Sequence, residues 1–281
     1  MNADASTPLA GKTIFMSGGS RGVGLAIALR AARDGANVAL MAKSAEPQPK
    51  LPGTIYTAAE EIGDAGGRAL PIVGDVRDAD AVDDAAERAV EEFGGIDIVL
   101  NNASAINLSK TEVLEIKRYD LMQEINVRGT FVVTRACLPH LKKSANNPHV
   151  LTLSPPLNMD ARWFRDHAGY TISKYNMSIF TLGWAEEFRE DGIAFNSLWP
   201  RTMIATAAVQ NLLGGDEAMA RSRTPEIVAD AAHAILTRPS RECTGNFFID
   251  EDVLAEEGVT DLDRYRAGPE NGELATDLFL D

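Results

Sequence analysis

Seven short apolar or β-branched runs alternate with longer helix-like segments along the 281-residue chain. Neighbouring parallel strands need a crossover connection, which is usually a helix, so this alternation strongly constrains the fold. Several runs are almost continuously apolar, as expected of a sheet that is covered on both faces. The pattern therefore predicts the α/β class, with a doubly wound parallel sheet in three layers (α/β/α) and a single domain. The predicted strands cover residues 13–17, 37–42, 69–74, 96–101, 149–154, 193–199 and 246–249.

Three segments interrupt this alternation. Residues 44–53 carry three prolines, which predicts a loop instead of a helix. Residues 155–166 begin with two prolines, and we expect them to form a lip over a cleft. Residues 251–281 are acidic and rich in glycine. We therefore expect residues 1–250 to form the main domain and residues 251–281 to be an acidic C-terminal extension draped over its surface.

Composition excludes several classes of partner. The 41 acidic residues outnumber the 27 Lys and Arg residues, and the net charge of −14 argues against nucleic acid and anionic membrane surfaces. The N-terminus lacks the pattern of a signal peptide, and no apolar stretch approaches the ~18 residues of a membrane span, so we expect a cytoplasmic protein. The isolated Cys137 and Cys243 predict buried thiols in a reducing compartment. The four histidines lack ligand spacing, so no metal is expected.

A glycine-rich turn follows the first predicted strand and opens the first helix. Residues 17–24 read Ser-Gly-Gly-Ser-Arg-Gly-Val-Gly. Glycines there allow a tight turn and a close approach to a pyrophosphate, which the helix N-terminus attracts. The alternative is a turn that only closes a strand–helix corner. The context favours a Rossmann-type dinucleotide site, whose candidate residues are Gly18, Ser20, Arg21, Gly22, Val23 and Gly24.

The end of the second strand indicates which dinucleotide binds. An NAD site needs a carboxylate there for the ribose 2′-hydroxyl, but this chain has Lys43 and no acid. Lys43 and Arg21 could instead hold a 2′-phosphate, although each alone could be merely solvated. We therefore predict NADP as the cofactor. Residues after the third and fourth strands are placed to line the rest of its pocket: Asp75, Val76, Asn102 and Ala103.

Tyr170 and Lys174 are spaced to lie one above the other on a helix. A phenol has a pKa near ~10, and a neighbouring ammonium lowers it by stabilising the phenolate. A Tyr-x-x-x-Lys pattern is common by chance, as a surface contact. Downstream of the glycine turn and of Asn101-Asn102-Ala103, it instead predicts an acid–base pair.

Taken together, SGGSRGVG, NNAS, INVRG and YTISK resemble the short-chain dehydrogenase/reductase family in order and spacing, from about Lys12 to Asp250. The segments GTIYTAAEEI, SPPLNM, WAEEF, LWPRT and TGNFFIDE are similar to its hydroxysteroid-dehydrogenase-like subgroup. Animal members of that subgroup carry an added sterol-carrier domain. The 281 residues do not include it, so we do not expect lipid carriage by a second domain.

The resemblance implies roles for single residues. Tyr170 would exchange a proton with the substrate oxygen, and Lys174 would hold the nicotinamide ribose and lower the tyrosine pKa. Asn126 would lie at a distortion of the fourth helix and position a relay water. Pro200 would lie beside the nicotinamide, where the next residue, usually glycine, is Arg201.

The resemblance also implies a serine that binds the substrate carbonyl at the end of the fifth strand. The family usually has two serines there and uses the second, whereas this chain has Ser154-Pro155. Either the two prolines redirect Ser154 into that place or a neighbour such as Asn158 serves. We favour Ser154.

These features predict reversible hydride transfer between NADP(H) and a carbonyl or secondary alcohol, on an apolar or lipid-like substrate. Pro155 keeps a second hypothesis open, a non-catalytic NADP-binding or scaffold protein. An epimerase or dehydratase that uses bound cofactor is a third.

The helix after Tyr170 predicts assembly. One apolar stripe (Met177, Phe180, Trp184 and Phe188) can cover the sheet. A second apolar surface on the other side is therefore expected to contact another subunit, in a homodimer or homotetramer: Ile172, Tyr175, Ile179 and Leu182.

Overall fold

All seven predicted strands form one parallel sheet in the computed structural model, which describes residues 7–49, 51 and 53–280. The strand order is β3-β2-β1-β4-β5-β6-β7. The predicted bounds shift by at most two residues. The strands are β1 Thr13–Ser17, β2 Asn37–Ala42, β3 Arg68–Val73, β4 Ile98–Asn101, β5 His149–Thr152, β6 Ala194–Trp199 and β7 Phe247–Ile249.

Helices connect the strands and cover both faces of the sheet. A π-helical segment, Gln123–Gly129, joins two of them, and a 3-10 turn lies at Asp263–Tyr265. The α-helices are α1 Gly22–Ala32, α2 Ile55–Asp64, α3 Ala79–Phe93, α4 Ile116–Met122, α5 Thr130–Leu141, α6 Arg162–Arg165, α7 Ala168–Glu187, α8 Ala207–Leu212, α9 Gly215–Ala220, α10 Glu226–Thr237 and α11 Asp250–Glu256.

Each face of the sheet has its own hydrophobic core. Side chains along a strand point alternately to opposite faces. In β1, Ile14 and Met16 accordingly join the core beneath α1, α2, α10 and α11, while Phe15 joins the core beneath α3, α5 and α7. This confirms the three-layer doubly wound fold. Cys137 and Cys243 are both buried and unbridged.

The strand order reverses beside β1, which is flanked by β2 on one side and β4 on the other. Ser17, the last residue of β1, is in register with Asn101, the last residue of β4. Doubly wound sheets bind ligands in the crevice at such a reversal, outside the carboxyl ends of the strands. The topology therefore places the candidate site there.

We expected residues 251–281 to be draped over the surface. Residues 251–280 also enter the interior of the molecule. Val253 and Leu254 of α11 are buried in the first core. The chain then returns to the carboxyl edge of the sheet, where the carbonyl of Ala275 accepts a hydrogen bond from the Met203 amide (2.9 Å). Phe279 enters the interior and is fully buried.

The loop predicted at residues 44–53 contains no regular helix or strand among its described residues, and Lys50 and Pro52 lie outside them. Within the part of the chain that the structure describes, no helix is long and apolar enough to cross a membrane. The same residues include no cluster of three or more side chains able to hold a metal ion.

Candidate active site

The glycine turn between β1 and α1 is shaped to approach a ligand closely. Gly18 and Gly22 have φ angles of +74° and +60°, a left-handed conformation that glycine adopts without strain. Ser20 is buried in the turn. Helix α1 begins after Arg21 with no side chain capping its N-terminus. Its first amides therefore keep their capacity to bind an anion.

The end of β4 supports this turn. Nδ2 of Asn102 donates to the carbonyls of Ser17 (3.2 Å) and Gly18. A Cβ atom on Gly18 would lie 2.9 Å from Cα of Ala103, and one on Gly24 would lie 2.5 Å from Nδ2 of Asn102. Asn102 and Ala103 thus hold the turn in place, and only glycine fits against them.

Charged side chains gather after β2 and β3. Nζ of Lys43 lies 3.1 Å from Oδ2 of Asp75, and its side chain is 59% exposed. The Arg77 guanidinium also binds Asp75 and, with Lys43, holds the pKa of that carboxyl below its usual range despite partial burial. Arg77 was not predicted, although its position two residues after Asp75 was a usable signal.

The other predicted cofactor residues on this side are held by their neighbours. Arg21 donates from Nη2 to the carbonyl of Gly53 (2.8 Å), which ties the glycine turn to the loop before α2. Val76 is buried, and a Cβ atom on Gly129 of the π-helical segment would lie 2.9 Å from its Cγ2. Val23 is half-buried in the first turn of α1.

Tyr170 and Lys174 lie one turn apart near the start of α7, and both are buried, with exposed fractions of 5% and 2%. Lys174 donates from Nζ to the carbonyl of Leu153 (2.5 Å). The same Nζ lies 5.1 Å from the centroid of the Trp199 ring, a cation–π contact. The ammonium is thereby fixed between the ends of β5 and β6.

Burial dominates the proton affinities of this pair. It raises the pKa of Tyr170 above its ordinary value, and the charge of Asp277 raises it further. Burial lowers the pKa of Lys174 to about 7, against the opposing effect of Asp277. The direction for Tyr170 is opposite to the lowering predicted from Lys174 alone, because neither the burial nor Asp277 is visible in the Tyr-x-x-x-Lys pattern. Tyr170 is therefore neutral over the physiological pH range.

Asn126 lies within the π-helical segment, so the helix distortion predicted there is present. Its side-chain amide is fully buried, and both the oxygen and the nitrogen form hydrogen bonds. Oδ1 accepts from the Ala105 amide (2.7 Å), while Nδ2 donates to the Ala105 carbonyl and to the Ser173 hydroxyl (both 2.9 Å). Asn126 thus joins the loop after β4 to α7, next to Lys174. The relay role of Asn126 stays a prediction.

Ser154 is buried two residues beyond the end of β5. Its Oγ lies 2.9 Å from that of Ser197, whose hydroxyl donates to Thr181. The Ser154 proton therefore points to Ser197, and the described hydrogen bonds include none between Ser154 and Tyr170. The Pro155 carbonyl accepts from Ser178, and the Asn158 carbonyl accepts from the Tyr175 hydroxyl. The catalytic role of Ser154 therefore stays a prediction.

Residues after β6 complete the edge of the crevice. Pro200 is half-buried, and the Arg201 guanidinium binds both carboxylate oxygens of Asp252 (2.6 and 2.7 Å).

Thr206 was not predicted as a site residue. A Cβ atom on Gly22 would lie 3.5 Å from its Cγ2, so Thr206 lies beside the glycine turn. Its position soon after a strand of the parallel sheet was the available signal.

These residues fit a dinucleotide. The glycine turn presents uncapped helix amides, its neighbours leave room only for glycine, and cations stand after β2 and β3. Gly18, Ser20, Gly22 and Gly24 would hold the pyrophosphate, and Lys174 would hold the nicotinamide ribose.

The fold and this pair of buried groups define a Rossmann-type nucleotide-binding protein with an acid–base pair. The family model for the short chain dehydrogenases matches residues 12–215, and the chain belongs to that family. Over 273 residues it is 57% identical to hydroxysteroid dehydrogenase-like protein 2 of Danio rerio, and 55% identical to that of Xenopus tropicalis. Both matches cover 97% of this chain, which spans 65% and 64% of the two relatives.

A solved structure agrees with this assignment. A short chain dehydrogenase from Mycobacterium thermoresistibile superposes with a TM-score of 0.91 and 62% identity, over 97% of this chain and 96% of that one. The predicted resemblance to the family and to its hydroxysteroid-dehydrogenase-like subgroup is confirmed. Among the similar solved structures, the NADH-dependent reductase A1-R' is 25% identical to this chain and was solved in complex with NAD.

Proposed function

We propose that this chain transfers a hydride between NADP(H) and a carbonyl or secondary alcohol of an apolar substrate, with Tyr170 as general acid and base. The observation that carries the proposal is the burial of Tyr170 and Lys174 together, at the same edge of the sheet as the glycine turn. When bound, the nicotinamide cofactor supplies or accepts the hydride.

In the reducing direction, the neutral Tyr170 donates its proton to the substrate oxygen as negative charge develops there. Because burial raises the pKa of Tyr170, this step depends on stabilisation of the phenolate that forms. Lys174 is fixed by the Leu153 carbonyl and stabilises the phenolate that remains. Asn126 holds the loop after β4 against α7 and so keeps the wall of the site in place.

The preference for NADP rests on Lys43 and on the absence of an acid at the end of β2. Lys43 is mostly exposed and has only Asp75 as an ion-pair partner among the described residues, so it can turn to a 2′-phosphate.

The test is the oxidation of NADPH by the purified chain with a panel of apolar aldehydes and ketones. We expect turnover with at least one of them, and we expect Tyr170→Phe to reduce kcat by at least ~100-fold while NADPH still binds. Full activity of Tyr170→Phe would exclude Tyr170 as the acid.

A non-catalytic NADP-binding protein is the second candidate, and one observation favours it. The Ser154 hydroxyl is engaged with Ser197, and Pro155 takes the place of the usual serine. NADPH binding without turnover of any carbonyl in the panel is the result that would select this candidate.

A further inference from the structure

Phe279 is fully buried among aromatic rings at the candidate active site. Its ring stacks on that of Tyr170, with 6.2 Å between the centroids and 30° between the planes. Four other rings have their centroids within 6.1 Å of it: Trp163, His167, Tyr175 and Trp199.

A short stretch of chain, residues 275–280, carries this ring to the site. The Asp277 amide donates to the carbonyl of Arg201 (3.0 Å), and Nε1 of Trp199 donates to the carbonyl of Leu278 (2.9 Å). Phe279 itself has a φ of +73°, which a bulky residue adopts only where its surroundings fix it. The ring is thus held against Tyr170 by the backbone of the two residues that precede it, Asp277 and Leu278.

A substrate that reacts at Tyr170 must lie close to this ring. Proton exchange needs the substrate oxygen within about 3 Å of the Tyr170 hydroxyl, which lies one bond beyond the ring that Phe279 covers. In a doubly wound sheet the loops after the strands supply the other walls of such a site. Here Trp163 comes from α6, in the connection after β5, and Trp199 from the end of β6. Phe279 alone comes from outside those connections.

The cluster also has an unsatisfied donor. Among the described residues, no partner accepts a hydrogen bond from the buried Nε1 of Trp163, whose ring packs on Phe279. A buried polar group without a partner needs an explanation, and a ligand acceptor in the cluster is one. Flat aromatic walls with few polar groups favour flat apolar ligands.

We propose that Phe279 is the specificity-determining residue of the site and restricts it to carbonyl compounds whose group beside the reacting carbon is flat or small. This inference rests on the proposed hydride transfer and names its substrate class. Phe279 limits the thickness of the substrate, because its ring stacks on that of Tyr170 with 30° between the two planes.

The test compares benzaldehyde, which is flat, with adamantane-1-carbaldehyde, which is thick, as oxidants of NADPH. We expect the wild type to have the higher kcat/KM for benzaldehyde. Phe279→Ala should shift the ratio of the two kcat/KM values at least tenfold toward the adamantyl compound. Phe279→Leu, which keeps most of the volume and guards against misfolding, should shift it less in the same direction.

Phe188→Ala is the matched control, because it removes the same ring from the core beneath α3, α5 and α7. It should lower stability without changing the ratio. An unchanged ratio in Phe279→Ala would overturn the proposal. An equal increase in kcat/KM for both aldehydes would also overturn it, since that result would show that the ring blocks the site without selecting between substrates.

Calorimetric titration of both aldehydes separates this proposal from the proposed function. If neither aldehyde is reduced by the wild type, the proposed function fails for them, but Phe279 can still be judged by binding in the presence of NADP. If the wild type binds benzaldehyde more tightly than the adamantyl compound, and Phe279→Ala loses this difference, the proposed role of Phe279 in specificity is supported. Equal affinities in wild type and variant, or no binding of either, would overturn it.

Discussion

Lys43 is the residue on which the proposed preference for NADP depends most directly. Its ammonium is mostly exposed and shares Asp75 with Arg77, so a 2′-phosphate can compete for it. We expect NADPH to bind at least ~10-fold more tightly than NADH, because an ion pair with the 2′-phosphate forms only with NADPH. Lys43→Asp should remove or invert this preference, as measured by fluorescence titration of both cofactors.

The control for this substitution is Lys110→Asp. Lys110 is also an exposed lysine paired with an aspartate, Asp166, but it lies in the loop after β4. It should leave both affinities unchanged. Equal affinity of the wild type for NADPH and NADH would refute the charge argument.

Ser154 is our candidate for the second donor to the substrate oxygen. For that role its proton must leave Ser197, which requires the chain of hydroxyls from Ser154 to Thr181 to reverse direction. If Ser154 acts in this way, Ser154→Ala lowers kcat by roughly a hundred- to a thousandfold with NADPH affinity unchanged. Stopped-flow and steady-state kinetics on the best substrate measure this.

Two matched variants define the alternatives. Ser197→Ala breaks the same hydroxyl chain without removing the candidate donor, and should lower kcat far less than Ser154→Ala does. Asn158→Ala should also have a small effect. If Ser154→Ala lowers only the melting temperature, Ser154 is a strand-end residue and the second donor lies elsewhere.

Asp250 couples stability to pH. Burial raises its pKa to about 7, although it accepts hydrogen bonds from the amides of Arg201 and Glu251. The folded chain therefore binds this proton more tightly than the unfolded chain. The contribution of Asp250 to stability is complete below pH ~4 and is lost as the pH rises through 7.

Asp250→Asn should remove that pH dependence, since its amide oxygen can accept the same two hydrogen bonds. We expect the variant to be more stable than the wild type at pH 8, by at most about 4 kcal/mol, and the difference to vanish near pH 4. Urea denaturation at both pH values measures it. A difference that does not depend on pH would show that Asp250 does not titrate in this range.

At the scale of single elements, α7 is buried on one side only. Of the predicted stripe, Met177, Trp184 and Phe188 are buried, and Phe180 is partly buried against the same core. Of the second apolar surface, Ile172, Ile179 and Leu182 are 43–52% exposed. Tyr175 was predicted to belong to this surface but is buried instead, and its hydroxyl donates to the Asn158 carbonyl. The period of a helix predicts which residues share a face, but not how far a neighbouring loop covers that face.

We predict that these exposed side chains form the contact between subunits of a homodimer or homotetramer. Light scattering at micromolar concentration should give two or four times the mass of the chain, and Ile179→Glu together with Leu182→Glu should give the monomer. Val113→Glu, at another exposed apolar residue, should leave the mass unchanged. A wild type that is monomeric throughout would rule out this interface.

For the whole molecule, features set by neighbouring residues could be predicted from the sequence, whereas contacts between residues far apart in the chain could not. The seven strands and the glycine turn were predicted because strand and turn patterns are local. The environment of Tyr170 was not, because Asp277 and Phe279 reach it over more than a hundred residues. No periodicity in residues 251–281 indicates that they return to the sheet. Likewise, the contact between Ser154 and Ser197 depends on the pairing of β5 with β6.

The return of residues 275–280 to the carboxyl edge has a kinetic consequence. Every strand of the sheet precedes them, and their hydrogen bonds go to the segment after β6, so they can dock only on a sheet that has already formed. Contacts of such long range are slow to form, because the chain loses entropy before it gains them. During refolding, the sheet should therefore be complete while Tyr170 and Lys174 are still in water, and this buried pair should be the last part of the molecule to be shielded.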